Sequence, residues 1–138
     1  MNLNKTYYRY VEHELFNYKN NLKEYQEIQD DIIGSSSYQS GDRVQTSTLA
    51  DETASKAIRL TSNARMLQLE KTIQGIETGI RVLRVAAEPS KLKLLEMKYF
   101  DCQYTDKRIA VELCISEKTY YRWKNQIVLL MAMHIGLV

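Results

Sequence analysis

From Lys5 to residue 33 apolar side chains return at steps of four and three: Val11, Leu15, Tyr18, Leu22, Tyr25 and Ile32, with Gln29 filling one place. That spacing draws a single stripe along a helix. Glu12, Lys19, Lys23, Glu24 and Glu27 occupy its other side. The pattern predicts an N-terminal amphipathic helix over 1–33, which needs a second helix or a second chain to cover its stripe. The stretch "GSSSYQSGDRVQTST" then breaks the period. Small polar residues and two glycines predict a flexible linker over 34–49. From 50 to 88 the period resumes. Leu69, Ile73, Ile76, Ile80, Leu83 and Ala87 repeat at heptad steps, as helices that wrap one another do. Gly75 and Gly79 interrupt this helix and leave room for a close neighbour, and Pro89 ends it.

Residues 89–138 predict three shorter helices. Ser90 is placed to cap the first, which turns Leu92, Leu95 and Tyr99 inward. Thr105 or Asp106 caps the second, with Ile109, Ala110 and Leu113 apolar. "CIS" makes a turn, and Ser116 caps the third, whose apolar positions Tyr120, Trp123, Ile127 and Leu130 again step by three and four. The expected fold is therefore all-α. A long helical hairpin or coiled-coil-like part precedes a three-helix, helix-turn-helix domain. Leu15, Tyr18, Leu22, Tyr25, Leu69, Ile73, Ile76, Ile80 and Leu83 are its expected hairpin or oligomer interface. Heptads alone do not choose between the two.

Composition sharpens this picture at a few points. One proline and five glycines in 138 residues favour long helices. Ten tyrosines against two phenylalanines suit half-buried faces, where one end of a ring stays wet. Net charge is only +2. Residues 1–33 hold four basic and six acidic side chains, whereas 90–138 hold eight and five, a basic bias at the C-terminal end. Cys102 and Cys114 have neither metal nor redox spacing, and His13 and His134 stand apart. The adjacent Asp30 and Asp31 are not spaced as a catalytic pair, and no glycine-rich phosphate loop occurs. These features predict no enzyme, no metal and no cofactor. The polar N-terminus does not read as a signal peptide, and "IVLLMAMHIGLV" is too short to span a bilayer. A cytoplasmic protein with no membrane partner is expected.

Residues 105–134 hold the physical parts of a DNA-reading helix-turn-helix. On a 3.6-residue helix from Ser116, the exposed set is Glu117, Lys118, Tyr121, Arg122 and Asn125. Of these, Glu117, Lys118, Arg122 and Asn125 are the candidate base contacts. Arginine pairs bidentately with guanine, and glutamate accepts from cytosine. Lys107, Arg108, Thr119, Tyr121 and Lys124 are the candidate phosphate contacts. Ile109, Ala110, Leu113, Ile115, Tyr120, Trp123 and Ile127 form the expected core of the motif. The bland reading makes the charged face ordinary solvent surface.

The stretch "YTDKRIAVELCISEKTYYRWKNQIV" resembles the C-terminal motif of phage late transcriptional regulators of the ArpU/RinA type. The matching residues are Ile109, Ala110, Leu113, Ile115, Ser116, Thr119, Tyr120, Tyr121 and Arg122. "KLKLLEMKYF" and "ETASKAIRL" resemble earlier helices of that group, so the likeness spans about 50–134. The C-terminal pattern is also similar to region 4 of bacterial sigma factors. By that similarity Glu117, Lys118 and Arg122 face bases, Tyr121 lies near phosphate, and Tyr120, Trp123 and Ile127 are core. Cys114 departs from both, since they usually hold glycine there. A position that needs positive φ would strain a cysteine. The resemblance implies a sequence-specific DNA-binding regulator, an activator of phage late genes. Its implied partners are double-stranded DNA, a second copy of the chain and possible contact with bacterial RNA polymerase. Two alternatives predict other behaviour. A small-terminase-like packaging protein would form a ring of eight or more chains, and a protein-binding helical adaptor would not bind DNA.

Overall fold

The computed structural model describes residues 2–38 and 49–138, with side chains over 2–32 and 57–138. Among them every element is helical: α1 (Lys5–Phe16), α2 (Tyr18–Tyr38), α3 (Leu49–Val85), α4 (Pro89–Leu95), a π-helical segment (Glu96–Asp101), α5 (Asp106–Glu112) and α6 (Glu117–Ile135). No helix among the described residues is long and apolar enough to cross a membrane. The chain divides into two compact units, Met1–Lys19 with Lys71–Val138, and Asn20–Glu70.

In the first unit α1 starts at Asn4, whose side chain accepts from the Thr6 N–H at 2.8 Å. This N-cap satisfies a backbone donor that the helix cannot. The single helix expected over 5–33 is instead two, interrupted at Asn17 although the apolar period runs on through it. There the Asn17 side chain donates to the His13 carbonyl at 2.8 Å, as a helix-ending asparagine does. Val11 and Leu15 are fully buried in a core shared with Ile76 and Leu83 of α3, Leu94 and Leu95 of α4, and Tyr120, Ile127, Val128 and Met131 of α6.

Ser90 does not cap α4. Pro89 stands in its first turn and Glu88 precedes it without a side-chain cap bond, since proline needs no partner for a missing N–H. The widened turn at Glu96–Asp101 then replaces the simple Leu92, Leu95, Tyr99 stripe. Leu94, Leu95, Met97 and Tyr99 are buried, while Leu92 is half-buried. Phe16 meets Tyr99 edge-on at 4.8 Å, and Tyr18 stacks on Phe100 at 5.0 Å.

The second unit joins α2 to the N-terminal half of α3. Arg65 grips Glu24 with two bonds, Nε to Oε1 at 3.0 Å and Nη2 to Oε2 at 3.1 Å. Leu69 is buried here, Leu22 and Tyr25 half-buried, and Ile32 exposed. The first residues expected in the linker are helical, because α2 runs on through Gly34 to Tyr38. A helical glycine costs only about 1 kcal/mol, and serine less. Residues 39–48 lie outside the described residues, as do the side chains of most of "ETASKAIRL".

The expected interface residues are largely consumed within the chain. Leu15, Leu69, Ile73, Ile76 and Leu83 are buried, and Tyr18 and Ile80 pack partly buried against the core of the first unit. Buried in this way, they leave little of the stripe exposed for a second chain.

Candidate nucleic-acid interface

The turn between α5 and α6 is built by three local devices. Thr105 caps α5 by accepting from the Arg108 N–H at 3.2 Å. Ser116 caps α6, accepting from the Thr119 N–H at 3.1 Å and donating to Thr119 Oγ1 at 2.9 Å. Between them Cys114 adopts φ 56°, so that its N–H reaches the Val111 carbonyl and the Ile115 N–H reaches that of Ala110. This pairing closes a helix end and is usually made with glycine. Cys114 thus stands at a position of positive φ.

Behind the turn, Ile109, Ala110, Tyr120 and Ile127 are buried, with Leu113, Ile115 and Trp123 half-buried against them. In front, Glu117, Lys118, Tyr121 and Arg122 are exposed. Neither Lys118 nor Arg122 makes an ion pair with another described residue, and nor does Lys107. The Tyr121 ring meets Tyr120 edge-on at 5.1 Å while staying 44% exposed. The N-terminal half of α6 therefore carries a wet, polar face over a dry one.

Four predicted contacts are engaged inside the chain. Lys124 is half-buried, 3.7 Å from Glu12 and over the rings of Tyr8 and Tyr121. Asn125 accepts from the Tyr8 hydroxyl at 2.8 Å. Arg108 pairs with Glu112 at 2.8 Å, and Thr119 belongs to the cap. Lys107 has no ion-pair partner among the described residues, whereas the Lys124 charge already faces a carboxylate. The cause is α1, which packs against α6.

The periodic reading missed a polar layer that ties α1, the π-helical segment and α5 to α6. Tyr99 donates to Glu12 at 2.8 Å. Asp106 Oδ1 accepts both from Tyr120 at 2.5 Å and from Lys98 at 2.8 Å. Burial first, and the nearby carboxylates second, push the Tyr8, Tyr99 and Tyr120 hydroxyls up, so all three stay protonated donors. Burial raises the Asp106 carboxyl, but the bonds from Lys98 and Tyr120 and the charges of Lys98 and Lys124 outweigh it and hold the group below its ordinary value. The only sequence signal for this layer is that Tyr8 and Glu12 stand one turn apart beside Val11.

The chain matches no family model, no curated protein and no solved structure. Its chemistry is therefore read from the site alone. Among the described residues no three His, Cys, Asp or Glu side chains gather as a metal site. What α6 offers is two cations unpaired among the described residues, and a carboxylate, on the exposed start of a capped helix. That set suits recognition of an anionic, hydrogen-bonding surface.

Proposed function

We propose that α5 and α6 form a helix-turn-helix that reads double-stranded DNA, and that the protein is a cytoplasmic, sequence-specific transcriptional regulator. On this reading α2 and the N-terminal half of α3 form a helical hairpin, and residues 89–138 form the DNA-binding domain. The observation that carries the proposal is the exposed, unpaired row of Glu117, Lys118 and Arg122 on the first turns of α6. It lies above a core closed by Tyr120 and Ile127. An N-terminal half of this kind is what a recognition helix presents to base edges in the major groove. The left-handed Cys114 supports the likeness to the phage late regulators, whose motif holds glycine there.

The roles follow from donor geometry. Arg122 offers its fork to guanine, Glu117 accepts from cytosine, and Lys118 donates to a base. Lys107 and Tyr121 meet phosphates, which set register without reading sequence. Activation of late phage genes, with contact to bacterial RNA polymerase, is the regulatory role the resemblance favours.

The test is fluorescence anisotropy against labelled phage promoter DNA and a scrambled duplex, titrated across salt. Selective binding is expected, and Arg122→Ala should lose ~1–3 kcal/mol of it. An Arg122→Ala protein with unchanged affinity for the preferred duplex would sink the assignment. Equal binding to both duplexes would favour packaging, and no binding at low salt an adaptor.

A further inference from the structure

Besides α6, the first unit brings a second set of free cations toward the same face. Tyr8 of α1 reaches Asn125, and Asn125 continues the row Lys118–Arg122 by one more helical step. Lys124 lies over the Tyr8 ring at 5.9 Å and over the Tyr121 ring at 5.3 Å. The N-terminal half of α1 therefore flanks the C-terminal end of the exposed row. Helical spacing puts Lys5 and Arg9 on the edge of α1 that Tyr8 and Glu12 define, because Lys5 is one turn before Tyr8, and Arg9 is one turn after Lys5 and one turn before Glu12. Both are exposed, and neither forms an ion pair with a described residue. The one acidic side chain on that edge, Glu12, is turned inward to Tyr99 and Lys124. Its charge is matched there and does not offset Lys5 or Arg9.

We infer that α1 is a phosphate clamp, with Lys5 and Arg9 gripping the DNA backbone beside the base pairs read by α6. The inference rests on the DNA-binding reading and adds to it a second element and two residues. It also gives the Tyr8–Asn125 bond a purpose. The bond fixes the clamp at a set distance from the reading helix, so the phosphate contacts and the base contacts share one register. Lys124, held between two rings and a carboxylate, stiffens that joint instead of touching DNA.

A clamp that touches only phosphates carries no sequence information. Its loss must weaken the preferred and the scrambled duplex alike. Each released phosphate contact also removes about 0.9 from the slope of log affinity against log salt. The experiment compares wild type, Lys5→Ala with Arg9→Ala, Arg122→Ala and Lys71→Ala on both duplexes across salt. Lys71 lies beside Gly136 at the other end of α6 and controls for a generic charge effect. The expected result for the α1 double variant is a loss of about tenfold on both duplexes and a slope lower by about 1.8. Its preference for the promoter sequence is retained, and its helix content by circular dichroism is unchanged. Arg122→Ala loses the preference itself, and Lys71→Ala matches wild type. The clamp is overturned if the double variant keeps the wild-type slope on DNA that wild type reads selectively. It is also overturned if Lys71→Ala lowers the slope as much per charge. A wild-type protein that does not separate the two duplexes is a different result and removes the parent reading with it.

Discussion

At Cys114, Ala87 and Gly136 the backbone turns left-handed, with φ of 56°, 56° and 96°. Each ends a helix; Ala87 and Cys114 do so by the same pair of carbonyl bonds, whereas the Gly136 end shares a single carbonyl. Ala87 and Glu88 reach back to Arg84 and Leu83, and Leu137 and Gly136 both reach Ala132. Only Gly136 uses the residue that occupies this region without strain. A Cβ there costs about 1–2 kcal/mol, while glycine returns part of that through its greater freedom when unfolded. The Cys114 side chain is exposed, so little packing is lost on removing it. Cys114→Gly should therefore raise stability by about 0.5–1 kcal/mol, read as a higher midpoint in thermal unfolding followed by circular dichroism. Cys114→Val, with a branched Cβ at the same φ, should lower it. A glycine variant no more stable than the parent would mean that the αL turn is not where the strain lies.

Among the elements, the C-terminal half of α3 shows how closely two helices approach. A Cβ added to Gly75 would lie 2.8 Å from Ile135 Cγ1 and 3.0 Å from both the His134 carbonyl and Ile135 Cα. One added to Gly79 would strike the Met131 sulfur. Backbone of α6 cannot move aside as a flexible thioether can. Gly75→Ala should thus lose about 1–3 kcal/mol through overpacking, although alanine favours a helix by about 1 kcal/mol over glycine. Gly79→Ala should lose less. Urea midpoints of the two variants check the order, and a stabilised Gly75→Ala would show that α6 does not sit against α3 there. This contact was legible in outline, because two glycines in a heptad run announce a close neighbour. So were the buried positions Val11, Leu15, Ile73, Ile76, Tyr120 and Ile127, since a repeat of three and four states which side of a helix is dry. The break at Asn17 and the widened turn at Glu96–Asp101 leave no mark on the period. Nor do the bonds Tyr8–Asn125 and Tyr99–Glu12, which join residues 117 and 87 positions apart. Such pairs depend on how finished helices pack, and no local repeat encodes that. For the same reason the helical wheel named Lys124 as a free cation when α1 had already matched its charge.

On the scale of the whole molecule, if the proposed regulator binds its DNA as a dimer, the contact between copies must use a surface other than the buried heptad. The second unit has one. Ala57, Leu60, Ala64 and Leu67 step by three, four and three along α3, and all four are exposed, Leu60 at 71% and Leu67 at 62%. The alternation of small and large decides how two copies would meet. In a parallel pair Leu60 faces Leu60 and Ala57 faces Ala57, leaving alternate layers crowded and empty. In an antiparallel pair about a two-fold axis near Ser62, Leu60 meets Ala64 and Leu67 meets Ala57 of the second copy, so each layer is filled. Thr61, Asn63 and Gln68, which flank the stripe, are uncharged. The stripe spans only about 15 Å of helix, which places it among small, reversible interfaces. The expected behaviour is a dimer that dissociates on dilution, seen by light scattering at several concentrations. Leu60→Lys should leave a monomer throughout and weaken binding to a two-half-site promoter more than to a single half-site. An unchanged dimer in Leu60→Lys would place the contact elsewhere, and a mass of eight or more chains would identify a packaging ring instead of a regulator.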